Sequence, residues 1–343
     1  MYKFQPILKS LIWGGDKIAP YKQIETSQQQ VGESWELSGV KGNESVVAGG
    51  PEAGTPLPEL IARHGAGLLG AKNFERFGEE FPLLIKFIDA RQDLSIQVHP
   101  NDELAWERHQ SKGKTEMWYV VAADKGAHLR SGFSKQVTPA EYAASVADNT
   151  ITDILADYQI HPGDVFFLPA GRVHSIGAGA FIAEIQQTSN ITYRIYDFNR
   201  RDANGNTREL HTELAKEAID YTVLPDYRTH YTPAQNSRVE LVSCPYFTTS
   251  LLDLTAPETL ELADLDSFVV AICIEGRGTI ADDNGETLPV HQGETVLIPS
   301  GIRHDQITQS PKACLSSESA SFFAAAGCKS AFFSVTLGVA TRT

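Results

Sequence analysis

Residues His161 to His174 read "HPGDVFFLPAGRVH", and the pattern returns in "HQGETVLIPSGIRH", His291 to His304. Each copy runs His-x-Gly-acid, an apolar-rich segment, Pro, a small residue, Gly, two more residues and His, with equal spacing from the first Gly to the closing His. A Gly-acid turn, a short apolar strand, a Pro-x-Gly turn and a histidine opening the next strand describe a hairpin that brings one imidazole to a fixed place. The repetition indicates a duplicated module.

A shorter stretch, "LSIQVHPND", residues 94 to 102, supplies companions for His174. Successive side chains of a strand point to opposite faces, so Gln97 and His99 share one face and Ile96 and Val98 the other. In "GKTEMWYVV" the residues Glu116, Trp118 and Val120 likewise share a face, and a carboxylate pointing into a core is costly unless it is paired or ligating. Gln97, His99, Glu116 and His174 form the candidate metal set. Two imidazoles, a carboxylate and an amide oxygen suit one zinc ion per chain; two histidines and a carboxylate equally fit iron or manganese. Taken singly, each residue reads as an ordinary hydrogen-bonded or exposed strand residue, and the argument for ligation rests on their convergence. Ahead of "IEGRGTI", Ile274 to Ile280, no His-containing counterpart of Gln97 and His99 occurs, so the second module is expected to be metal-free, with His304 structural.

The 343 residues allow two domains, expected over 1–235 and 236–343. Strand-like runs fill most of 83–198 and 238–308, pointing to antiparallel barrels or jelly rolls. Helices are expected at "PLPELIARHG", "NDELAWERHQ", "TPAEYAASVAD" and "HTELAKEAIDY"; Thr138, followed by Pro139 and Glu141, makes a good N-terminal cap. The apolar run Ser321 to Ala340 reads as final strands, with disorder as the alternative, since Lys329, glycines and hydroxyl residues make a poor bilayer span. The opening residues lack the apolar core of a signal peptide. Four cysteines without close pairing fit reduced thiols and a cytoplasmic location. With 29 Lys and Arg against 43 Asp and Glu, the net charge of −14 argues against a nucleic-acid surface, and an anionic substrate must be met by locally placed cations.

Hairpin and preceding ligand pair together resemble the cupin superfamily, and the repeat a bicupin. The resemblance implies a mainly β fold: two cupin-type jelly-roll barrels with a few accessory helices, the first catalytic and the second cupin-like. "PLLIKFIDARQDLSIQVHPND", "GKTEMWYV", "HPGDVFFLPAGRVHSIGAG" and "IQQTSNITYRIYDFNR" resemble more closely the type I phosphomannose isomerases in their short bacterial form. That implies a zinc-dependent aldose-ketose isomerase interconverting mannose 6-phosphate and fructose 6-phosphate through an enediolate. Its metal would be held at Gln97, His99, Glu116 and His174. An arginine that the family assigns to catalysis falls on Arg194, and Lys86 and Lys114 match lysines of its active-site surroundings. Where many members carry Asp, this chain has Asn190, and its tail from Pro311 departs from the usual ending. A small sugar phosphate would be the only partner of a monomer or weak homo-oligomer, with neither nucleic acid nor membrane involved.

Moving a carbonyl between C1 and C2 needs a base and an electrophile that holds enediolate charge. Arg194 cannot serve as base, because its pKa lies above about 12, and is assigned to the enediolate oxygen or to orienting substrate. Lys86, between apolar "PLLI" and "FIDA", is the more plausible base if burial and a nearby cation lower its pKa, with a solvent-reaching strand lysine as the alternative. Lys114 is the competing base or a phosphate contact, and His99 a relay only if free of metal. Arg172, Arg200 and Arg201 are phosphate candidates on charge alone, and "GESWELSG", Gly32 to Gly39, resembles a cleft segment. Two other readings keep the ligand set: a sugar-phosphate sensor, which has no need of Arg194 and Lys86, and an iron-dependent oxygenase.

Overall fold

The strand Leu83–Asp89 is buried along its whole length, and so is its neighbour Ala180–Gln187. Runs with apolar residues on both faces must lie inside a sheet that is covered on both sides. They form the centre of a six-stranded antiparallel sheet ordered Ile7–Gly15, Val31–Ser38, Leu83–Asp89, Ala180–Gln187, Glu116–Ala123, Val165–Leu168. A five-stranded sheet accompanies it, ordered Tyr193–Tyr196, Ile96–Val98, His174–Ile176, His128–Phe133, Leu155–Gln159. This computed structural model describes residues 1–201, 204–302, 304–309 and 330–337.

The later part of the chain builds two more sheets. One has six strands, ordered Tyr2–Lys3, Thr295–Ile298, Val269–Glu275, Ser330–Thr336, Thr248–Leu254, Arg238–Ser243; the other has four, ordered Glu258–Glu261, His304–Gln309, Arg277–Asp282, Thr287–His291. The chain is therefore mainly β, as expected, but the expectation of two closed jelly-roll barrels is overturned. The strands pair into four separate antiparallel sheets, and among the described residues no sheet's first strand bonds to its last. The expected hairpin across each Pro-x-Gly turn does not form either: Val165–Leu168 pairs with Glu116–Ala123, while His174–Ile176 lies in the other sheet between Ile96–Val98 and His128–Phe133. Turn signals mark where the chain reverses and leave open which strands pair, and among the described residues no closing ladder joins distant edges.

Both copies of the repeated motif fold alike, with Val165–Leu168 followed by His174–Ile176, and Thr295–Ile298 followed by His304–Gln309. Gly171 shows why the turn needs its glycine: it sits at φ +89° while its N–H donates to the His99 carbonyl at 2.9 Å. The four expected helices form at Leu57–His64, Asp102–His109, Pro139–Ala147 and Thr212–Ala218. Thr138 closes a full capping box with Glu141. Three short helices, Ile18–Lys22, Ala66–Leu69 and Ala71–Phe77, carry no sequence signal that singled them out. Of the C-terminal apolar run, Ser330–Thr336 is a strand, paired on both sides, and Leu337 after it is buried; residues 321–329 and 338–340 of that run lie outside the described residues, as do Cys314 and Cys328. Cys244 and Cys273 are free. No described helix is long and apolar enough to cross a membrane.

One apolar cluster runs through both parts of the molecule, from Phe4, Leu83 and Phe181 to Phe268, Phe333 and Val335. A buried charge pins the same junction. Lys22 Nζ meets Glu36 Oε2 at 2.6 Å with both side chains about 95% buried, and also donates to the Gly293 carbonyl. Removing one partner of such a pair strands the other charge in the core. Lys22→Met is therefore expected to lower unfolding stability by roughly 3 kcal/mol, measured by denaturant titration; a loss below about 1 kcal/mol would show that Glu36 finds water or a proton at no cost.

Candidate metal centre

Register, rather than proximity in sequence, assembles the site. Gln97 lies directly opposite His174 on one neighbouring strand and opposite Arg194 on the other. The strand ends at Val98, and His99, just beyond it and before Pro100, enters the same cluster. The facing six-stranded sheet contributes Glu116, where its strand begins, and a cross-strand row of Trp35, Lys86, Glu184 and Trp118.

One ligating atom each from His99, Glu116 and His174 lies within 4.8 Å of the others, and all three residues are buried. His174 Nε2 stands 3.2 Å from Glu116 Oε1, and His99 Nε2 stands 3.6 Å from Glu116 Oε2. Both rings are oriented from behind: Nδ1 of His99 bonds the Ile191 carbonyl and Nδ1 of His174 the Arg172 carbonyl, each at 2.8 Å. Since a carbonyl only accepts, each Nδ1 carries the proton and each Nε2 turns a lone pair inward. The Gln97 amide joins them, its nitrogen 3.3 Å from His174 Nε2, and a half-turn of the amide places its oxygen there instead.

Glu116 is fully buried, and its Oε1 has no hydrogen-bond donor among the described residues. Lys114 Nζ makes an ion-pair contact with Oε2 at 2.8 Å and lies 3.1 Å from His99 Nε2. Burial pushes Glu116 up to about 7 against the pull of Lys114. Burial and the Lys114 charge hold His99 well below the usual histidine range, and drive His174 down to about 3. Neutral imidazoles and a buried carboxylate with one oxygen lacking a donor are what a borderline divalent cation requires, so the residues fit a metal ion.

A cleft of about 490 Å³ opens over this cluster, with Gln97, Lys114, Lys86, Arg194 and Arg208 in its wall. Lys86 does not have the environment that a base at neutral pH needs. Burial would lower its pKa, but Glu184 at 3.0 Å and Glu33 at 3.9 Å outweigh it and keep the ammonium charged. Burial would likewise raise Glu184, yet Lys86 and then Lys114 hold it at about 2. Trp35 and Glu33 of "GESWELSG" also line the cleft, whereas Glu36 is buried on Lys22.

Arg194 is half-buried, its Nη1 donating to the Glu209 carbonyl at 3.0 Å and its Nε unpartnered. Burial and the neighbouring Arg208 charge lower its pKa from the ordinary arginine value. Arg208 went unnoticed in the sequence, where "NTRELH" is an unremarkable polar run; its Nε donates to Asp197 Oδ2 at 2.7 Å. The phosphate candidates Arg172, Arg200 and Arg201 are absent from the cleft wall. Arg172 is buried against the Tyr227 ring, Arg200 pairs with Asp197, and Arg201 binds the Gly205 carbonyl. Asn190 is exposed, beside His109 and Tyr193 in a separate hollow. The side chain of His304 lies outside the described residues.

Loaded with a divalent metal and analysed by mass spectrometry, the protein is expected to retain one ion, and Glu116→Gln and His174→Ala to retain a small fraction of it. Full occupancy in both variants would remove these residues from the ligand set.

Comparison with known proteins follows the same lines. The profile of the phosphomannose isomerase type I catalytic domain matches residues 1–126, and that of the mannose-6-phosphate isomerase cupin domain matches residues 237–315. Mannose-6-phosphate isomerase ManA of Bacillus subtilis is 35% identical over 303 residues, covering 87% of this chain and 93% of the relative. The mannose-6-phosphate isomerase of Streptococcus mutans is 34% identical over 304 residues, covering 85% and 90%. The crystal structure of the mannose 6-phosphate isomerase from Bacillus subtilis superposes with a TM-score of 0.82 at 28% identity, covering 97% of this chain and 98% of that one.

Proposed function

The chain belongs to the type I phosphomannose isomerase family, and we accordingly propose that it interconverts mannose 6-phosphate and fructose 6-phosphate with one zinc ion bound by Gln97, His99, Glu116 and His174. The observation that carries this reading is the fully buried Glu116 between two inward-facing imidazoles, next to a cleft whose wall holds Gln97, Lys86, Lys114 and Arg194. Zinc bound there supplies Lewis-acid polarisation of the substrate oxygens.

The chain's own residues supply the remaining chemistry. Arg194, permanently charged and placed opposite Gln97 on the adjacent strand, stabilises developing enediolate charge. Lys86, kept protonated by Glu184 and Glu33, donates hydrogen bonds to substrate oxygens. Of the two lysines, Lys114 is the one left for proton transfer between C2 and C1. Its only ion pair among the described residues is with Glu116, a carboxylate that the metal also claims. Arg208 borders the cleft with Arg194 and meets the phosphate, which a chain of charge −14 can attract only through local cations. Retention of Lys86 and Arg194 in the cleft wall weighs against a sensor that binds without turning over.

Coupled detection of fructose 6-phosphate from zinc-loaded protein and mannose 6-phosphate is the direct test, and chelation is expected to abolish the rate. No product under any metal loading would refute the isomerase. Arg194→Ala is expected to lower kcat about 100-fold, the cost of a missing oxyanion donor, with metal content intact. Arg208→Gln is expected to raise KM about ten-fold, matching a lost charged hydrogen bond, with kcat little changed; an unaltered KM would place the phosphate elsewhere.

A further inference from the structure

Residues 111–115 bring Lys114 to the ligand cluster outside any strand or helix; the ladder begins only at Glu116. Two main-chain bonds tie it, the Lys114 N–H to the Pro100 carbonyl at 3.2 Å and the Gln187 N–H to the Thr115 carbonyl at 3.1 Å, and side chains complete the hold. Asp102 Oδ1 accepts from the Gly113 N–H at 2.8 Å and from Gln187 Nε2 at 3.1 Å. Gln187 passes the restraint on, its Oε1 accepting the Thr115 N–H at 2.8 Å. The amides on either side of Lys114 thus hang from one carboxylate and one carboxamide. Gly113 leaves no slack, because a Cβ there would lie 2.6 Å from both the Asn101 carbonyl carbon and the Asp102 nitrogen.

Asp102 is in turn held from the other part of the molecule. Its Oδ2 accepts from Tyr246 Oη at 2.8 Å, and Tyr246 sits in the turn between Arg238–Ser243 and Thr248–Leu254. That turn is outside the cleft wall, and Tyr246 contacts none of the metal-ligand candidates.

We propose that Tyr246, acting through Asp102 and Gln187, is a positioning residue that sets where Lys114 stands relative to Glu116 and His99. The inference rests on the isomerase reading and gives the later half of the chain a part in it. The Lys114 ammonium reaches two ligand atoms at 2.8 and 3.1 Å, and a displacement of about 1 Å in a reacting group costs far more in rate than in binding. Without the tyrosine hydroxyl, Asp102 is free to turn toward the adjoining hollow that Trp106 and Lys112 line, and the amides of Gly113 and Thr115 lose their common anchor.

The test compares zinc-loaded wild type with Tyr246→Phe, Asp102→Ala and Asp102→Asn. It measures kcat, KM, metal content, melting temperature and the isotope effect on kcat with substrate deuterated at C2. Expected are a kcat lowered roughly five-fold in Tyr246→Phe and roughly 100-fold in Asp102→Ala. KM should stay within about two-fold, metal content stay unchanged, and the isotope effect rise as proton transfer becomes limiting. Asp102→Asn keeps an acceptor for Gly113 and Gln187 and is expected to recover most of the rate. A brace that merely kept the chain folded would lower kcat in step with the folded, metal-loaded fraction and leave the isotope effect alone. That result, or wild-type kcat in Tyr246→Phe, overturns the proposal. Wild-type protein inactive on mannose 6-phosphate would overturn the isomerase reading itself, and the assignment of Tyr246 with it.

Discussion

A carboxylate sealed from water, with one ammonium to answer its charge, is the tension around which this molecule is arranged. Glu116 is fully buried, and its charge must be answered at close range. Lys114 gives part of the answer and two correctly turned imidazoles prepare the rest. The same requirement repeats two strands away, where Glu184 and Glu33 surround Lys86. Two ammonium groups thus stand among three carboxylates, and a divalent cation tips this cluster from negative to positive. An acidic protein can in that way present an attractive site to an anionic sugar phosphate, because the field that matters is local and set in a low-dielectric cleft.

The two sheets divide the candidate site between them. From the five-stranded sheet come Gln97, His174 and Arg194 in adjacent register, and from the six-stranded sheet come Glu116 and the row through Lys86 and Glu184. A one-residue slip in any of these strands would turn its functional side chain to the opposite face. Continuous burial of Leu83–Asp89 and Ala180–Gln187 guards against such a slip, since both faces of both strands are already committed to packing.

Much of this was readable along the chain. Period-two alternation around Val98, the Pro-x-Gly turn before His174 and the Thr138 cap are local signals, and each marks what the structure forms there. The environment of Lys86 was not readable, because Glu184 and Trp35 reach it only through strand pairing; the sequence shows a lysine among apolar neighbours and hides the carboxylates that keep it charged. Arg208 and Tyr246 were missed for a related reason: both lie in irregular segments whose place is fixed by partners far off in sequence. Barrel closure failed on the same ground, since edge-to-edge pairing leaves no local trace.

Among the described strands Tyr2–Lys3 forms its ladder with Thr295–Ile298, and Lys22 finds its carbonyl partner at Gly293. On the ribosome, then, the leading end must wait on the order of tens of seconds for its complement to be synthesised. Every candidate metal ligand has emerged long before, so the set of donors is complete while the apolar face that the last sheet covers is still open.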